Sequence, residues 1–148
     1  MEQQMIRLGF VAILCVGINT VGAAVAKEPA PAEVVTEIAR ATKTATGQPI
    51  TLPQGPLEVV ASMYTLASGV RLPEHKHPYQ RYAYILEGEL MVQQGDSAPR
   101  VYHAGEFVIE SVDSWHFGAT VGAVPVKLLV IDQLPPGGEV TINRPAAP

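Results

Sequence analysis

Apolar and polar residues change their rhythm three times along the chain. Leu8 to Ile18 is an unbroken apolar run behind a short segment, Met1 to Arg7, with one basic residue. From Glu33 to Thr44 the apolar positions Val34, Ile38 and Ala41 recur at helical spacing, which predicts a short helix. Gly47, Pro49 and Pro53 then break the chain. From Leu57 onward the pattern is that of β-strands. Leu57 to Ala67, Tyr82 to Leu86, Glu89 to Gln94, Arg100 to His103, Phe107 to Ile109, Trp115 to Thr120 and Val126 to Ile131 are short stretches rich in branched and aromatic residues. Turn clusters such as Ser68-Gly69, Glu87-Gly88 and Gly95 to Pro99 separate them. Many short strands between turns predict an all-β barrel or sandwich. The tail after Leu134 is too rich in Pro and Gly to extend a sheet far.

The first apolar run changes the picture of where the domain begins. It is too short to span a bilayer comfortably, and Asn19 and Thr20 interrupt it. Ala24-Val25-Ala26 is a small-x-small cleavage site, so residues 1–26 read as an export signal and the mature chain starts at Lys27. The protein is then periplasmic or secreted, with no membrane association after cleavage. Cys15, the single cysteine, falls in the discarded segment, and the mature chain has no thiol to oxidise. The domain boundaries that follow are a leader at 27–54, a barrel at 55–134 and a tail at 135–148. A chain of 148 residues holds one such domain. Its net charge of −4, without a basic stripe, disfavours nucleic-acid binding.

The candidate chemistry lies between Gly69 and Gly88. His75 and His77 are one residue apart, so an extended backbone places both imidazoles on one face, where two can hold one metal ion. His116 follows a second glycine-and-strand pattern. Taken in order, Gly69, five residues, His75, Lys76, His77, three residues, position 81, six residues and Gly88 resemble the first cupin motif. Every element matches except the glutamate, whose place Arg81 takes. Gly105 and His116 match the second cupin motif; Ser111, Asp113 and Thr120 stand where that motif has Pro, Gly and Asn. The resemblance covers about Leu57 to Asp132. It implies a jelly-roll β-barrel with a divalent metal inside, held by His75, His77 and His116, and it leaves the usual carboxylate ligand missing. It also makes a homodimer the default assembly.

Three imidazoles suit Fe, Zn, Ni, Cu or Mn alike. An inward Arg81 about 5 Å from a divalent ion, at an effective dielectric of about 20, would cost several kcal/mol unless an anion lay between them. One reading makes Arg81 the clamp for the carboxylate of a small substrate, as in the three-histidine thiol dioxygenases that the site resembles. The other turns it to solvent or to Glu74, Glu87 or Glu106. Gln80 has the wrong parity for a ligand unless the strand bulges. His103 reads as a non-ligand, Glu110 and Asp113 as solvated. Parity with Arg81 sends Ala83 and Ile85 inward and Tyr82 and Tyr84 outward. Three functions stay open: a metal-dependent, dioxygenase-like enzyme acting on a small organic acid, a non-catalytic small-molecule-binding module, and a metal-free structural barrel.

Overall fold

The structure, a computed structural model, describes residues 33–146. Residues from Val35 onward form one unit; the export signal, its cleavage site and Cys15 lie outside the described residues. Nine strands follow one another: β1 Glu58–Leu66, β2 His75–Lys76, β3 Gln80–Glu87, β4 Glu89–Gln94, β5 Arg100–His103, β6 Phe107–Ile109, β7 His116–Val121, β8 Val126–Leu134 and β9 Ile142–Asn143. They form a four-stranded sheet in the order β1-β8-β3-β6 and a five-stranded sheet in the order β5-β4-β7-β2-β9. Every strand pairing in both sheets is antiparallel. This is the all-β jelly-roll barrel that the cupin resemblance implied and the strand pattern allowed.

Alternation fixes which residues fill the interior. Along β8, Val126, Leu128, Val130, Asp132 and Leu134 are buried while the residues between them are partly exposed. β3 buries Arg81, Ala83 and Ile85, and the Tyr82 ring stacks on Phe107 on the outer face. Leu66, Leu90, Val92, Tyr102 and Val108 complete the apolar core with them. Burial of such side chains is worth about 1.5–3 kcal/mol each and drives the closing of the two sheets on one another. A core of this kind fills one end of the barrel. Arg81 and Asp132, further along the same two inward rows, mark where the filling becomes polar.

One expectation is corrected. The helix read over Glu33 to Thr44 does not form: residues 33–41 carry no helix and are exposed, with Val34, Val35 and Ile38 showing 75%, 83% and 55% of their surface. Helical spacing without a surface to bury its apolar face does not repay the cost of nucleation. The leader instead joins the barrel through residues 42–50. Ala45 N–H donates to the Ile109 carbonyl, and the Thr44 and Thr46 hydroxyls meet buried Ser111 at 3.1 and 2.6 Å. The C-terminal segment also returns to the sheet. β9 pairs with β2, placing Ile142 opposite Lys76 and Asn143 opposite His75, and Arg144 N–H donates to the Glu74 carbonyl.

Candidate metal centre

The three predicted histidines meet between the sheets. His75 on β2 lies directly opposite His116 on β7, and His77, just past β2, bridges to Val112. All three are buried, at 8%, 1% and 3% exposure. Their rings pack with centroids 4.4–5.0 Å apart, and one ligand nitrogen from each lies within 4.8 Å of the others.

The other ring nitrogens are committed. His75 Nδ1 lies 2.7 Å from the Pro73 carbonyl, His77 Nδ1 2.7 Å from the Val140 carbonyl, and His116 Nδ1 2.9 Å from the Ser114 carbonyl. A carbonyl only accepts, so each Nδ1 carries the proton and donates it. Each neutral ring then presents the lone pair of Nε2 to the shared space. This is how backbone acceptors orient histidine ligands around a metal. The donor set fits a divalent transition metal, and it fits on chemistry that the chain itself supplies.

Glu110 was read as solvated, and the structure corrects this. Its side chain is 12% exposed, and Oε2 lies 3.1 Å from both His77 Nε2 and His116 Nε2. The distances are those of hydrogen bonds, yet Oε2 has no hydrogen-bond partner; with the ring protons on Nδ1, neither Nε2 has a hydrogen to donate to it. Burial would push the Glu110 carboxyl up; the His116 and His77 rings beside it more than reverse this and hold it well below the usual carboxylate range. Burial likewise opposes a proton on His116, and the Glu110 carboxylate raises its affinity for one on balance. His75 is lowered, first by burial.

Arg81 points inward, 5% exposed, and is paired with neither Glu74, Glu87 nor Glu106. Its partner is Asp132, directly opposite on β8: Nε donates to Oδ1 at 2.7 Å and Nη2 to Oδ2 at 3.0 Å. The bidentate fork is thereby used, and Nη1 remains, 3.2 Å from His77 Nε2. Gln80 does not reach the histidines; its amide donates to the carbonyls of Arg81 and Glu110. Asp113 is exposed and pairs with Lys76, and His103 is exposed beside Glu106.

A cavity of about 380 Å³ opens beside the histidines. Leu72, Leu90, Val92, Leu128 and Val130 make its apolar wall; His75, His116, Arg81 and Glu110 make its polar end. The sequence reading missed Glu110 and Asp132. Both carried a parity signal: Glu110 lies two residues after buried Val108, and Asp132 two after buried Val130.

Comparison with known proteins agrees with the architecture. The family described as "Cupin domain" matches residues 62–132. No curated protein sequence matches the chain. Among solved structures, an oxalate oxidase in complex with the substrate analogue glycolate is similar at 26% identity and a TM-score of 0.50, over 57% of this chain and 45% of that one. The Ruegeria pomeroyi DMSP lyase is similar at 22% identity and a TM-score of 0.51, over 57% and 42%. A Lactobacillus farciminis oxalate decarboxylase in a formate complex is similar at 20% identity and a TM-score of 0.51, over 57% and 26%. The matched region therefore spans less than half the length of each of these chains. The motif glycines and histidines, the two-sheet barrel and the family match agree: residues 62–132 form a cupin domain.

Proposed function

We propose that the protein is an exported metalloenzyme, dioxygenase-like in class, that acts on a small organic acid. The observation that carries this reading is the convergence of His75, His77 and His116, each fixed by a backbone carbonyl, at the polar end of an apolar-walled cavity. The cavity volume of about 380 Å³ sits at the small end of ligand sites, which span about 300–1,000 Å³. A bound divalent metal supplies Lewis-acid polarisation, and redox chemistry if it is Fe, Cu or Mn.

The chain's own residues do the rest. Leu72, Leu90, Val92, Leu128 and Val130 exclude water and hold the carbon skeleton. Arg81 serves as the anion-orienting group through Nη1, the nitrogen that Asp132 does not engage and that lies 3.2 Å from His77 Nε2. Asp132 fixes the guanidinium plane, so that arm is aimed before substrate arrives. The likeness to a glycolate-bound oxalate oxidase supports a small carboxylate as the substrate class. Export is supported by the sequence of Met1 to Ala26, and a homodimer by the family resemblance.

The test is an oxygen-uptake and product screen of the metal-loaded protein against glycolate, oxalate and other short carboxylates. The reading predicts turnover with at least one acid, lost in His75→Ala. Metal bound at one equivalent with no turnover of any acid would favour the binding module instead.

A further inference from the structure

Position 81 is where the first motif places its carboxylate, and the chain has a cation there. A carboxylate nevertheless reaches the same imidazoles from the neighbouring strand. β3 and β6 pair antiparallel, with Tyr82 opposite Ile109 and Ala83 opposite Val108. Glu110 is the next partner in that register, opposite Arg81, and its N–H donates to the Arg81 carbonyl at 3.0 Å. Its side chain thus leaves the same sheet, on the same inward face, one strand to the side.

We propose that Glu110 is the fourth ligand of the metal, a carboxylate moved from β3 to the end of β6. The proposal rests on the three-histidine reading above. Oε2 is buried, 3.1 Å from two ligand nitrogens, and bonded to neither. A buried anionic oxygen without a donor is costly. Two N or O donors of one ion, each about 2.0–2.2 Å from it, lie no more than about 4.4 Å apart, and the 3.1 Å spacing meets that limit. Among the described residues no other carboxylate comes within 4 Å of a histidine Nε2 in the cluster.

The surroundings are built to keep it there. The Gln80 amide donates to the Glu110 carbonyl at 3.0 Å, which pins the backbone at the strand end. Arg81 pairs with Asp132 through Nε and Nη2 rather than with Glu110. The two substitutions therefore compensate. The cation at position 81 is neutralised by Asp132, and the anion that the metal needs comes from position 110.

The experiment compares wild type with Glu110→Gln, His75→Ala and His116→Ala, using Co²⁺ and Zn²⁺ as probes. Affinity is read by competition with a coloured chelator, and the ligand field by the visible spectrum of bound Co²⁺. Infrared difference spectra of wild type on Zn²⁺ addition report carboxylate coordination without any variant, should Glu110→Gln fail to fold. The proposal predicts a loss of affinity of at least 100-fold in Glu110→Gln, a changed Co²⁺ spectrum, and a shifted carboxylate stretch in wild type. Affinity within tenfold of wild type, an unchanged Co²⁺ spectrum, or no carboxylate shift would overturn it. If the histidine variants alone lose the metal, the three-histidine reading stands and Glu110 is no ligand. If all three variants bind as wild type does, both fall together.

Discussion

Asp132 and Arg81 face each other across β8 and β3 with 3% and 5% of their surfaces exposed, and neither has water to fall back on. Removing one partner of such a pair strands a buried charge and costs about 3–5 kcal/mol, whereas replacing both with apolar side chains of similar volume is often close to neutral. Asp132→Asn is therefore expected to lower the urea midpoint sharply, and Arg81→Met with Asp132→Leu to recover most of the loss. Equal losses in the single and double variants would mean that the pair does not hold the two strands. The ligand cluster gives a second expectation at this scale, for the metal-free protein. The Glu110 carboxyl is held below its ordinary range, so its contribution is present above about pH 4.5 and is lost as the pH falls towards its folded value. His75 is lowered, which adds to the loss on the acid side. His116 is raised, so its contribution is full below about pH 6.5 and is lost as the pH rises through its folded value. His75 acts the other way between pH 6 and pH 8, so the comparison is with Glu110→Gln, in which the His116 shift is removed: metal-free wild type should lose more melting temperature from pH 6 to pH 8 than that variant does. Metal on Nε2 takes the place of that proton and should abolish the difference. Equal pH dependence of wild type and Glu110→Gln in chelator-treated protein would contradict the Glu110–His116 contact.

At the scale of elements, the turn between β3 and β4 depends on one glycine. Gly88 has φ of +76°, and a Cβ there would stand 2.5 Å from the Pro125 carbonyl oxygen. Gly69 has φ of +77° with nothing near the same point. An alanine at either position costs about 1–2 kcal/mol for the left-handed backbone; Gly88→Ala adds a clash with backbone that cannot swing away. Chemical denaturation should rank Gly88→Ala clearly below Gly69→Ala, and similar midpoints would mean that the turn can open. The longer strands were legible because alternation over four to nine residues leaves a pattern to read: the limits expected for β4, β5 and β6 are the ones observed. β2 was expected as the extended backbone that carries His75 and His77; β9 was not legible, since two residues carry no period and it exists through its pairing with β2. The leader misled for the opposite reason. Val34, Ile38 and Ala41 have the spacing of a helix, but spacing is a statement about a face, and among the described residues nothing covers this one. Of the site, His75, His77, His116 and the inward turn of Arg81 could be read from motif and parity. Parity alone would have sent Glu110 and Asp132 inward; what they meet there required knowing which strands are neighbours, which one strand's pattern does not state.

At the scale of the molecule, the C-terminal segment is part of the site. Val140 supplies the carbonyl that receives the His77 Nδ1 proton, and Val140, Thr141 and Asn143 line the cavity. Deleting residues 135–148 should leave the apolar core of the barrel folded and weaken metal affinity by about 10–100-fold, the usual cost of losing a partner that orients a ligand. Chelator competition on the truncated protein measures this, and unchanged affinity would show that His77 is oriented without the tail. The central claim is that the barrel closes around a metal held by three histidines from two strands of one sheet. Its most direct test is elemental analysis of the untagged protein, expressed from its full sequence and purified without chelator, beside His75→Ala and His116→Ala. The account predicts close to one equivalent of a single divalent metal in wild type and a loss in both variants. Metal content near zero in wild type, not restored by added ions, would contradict it.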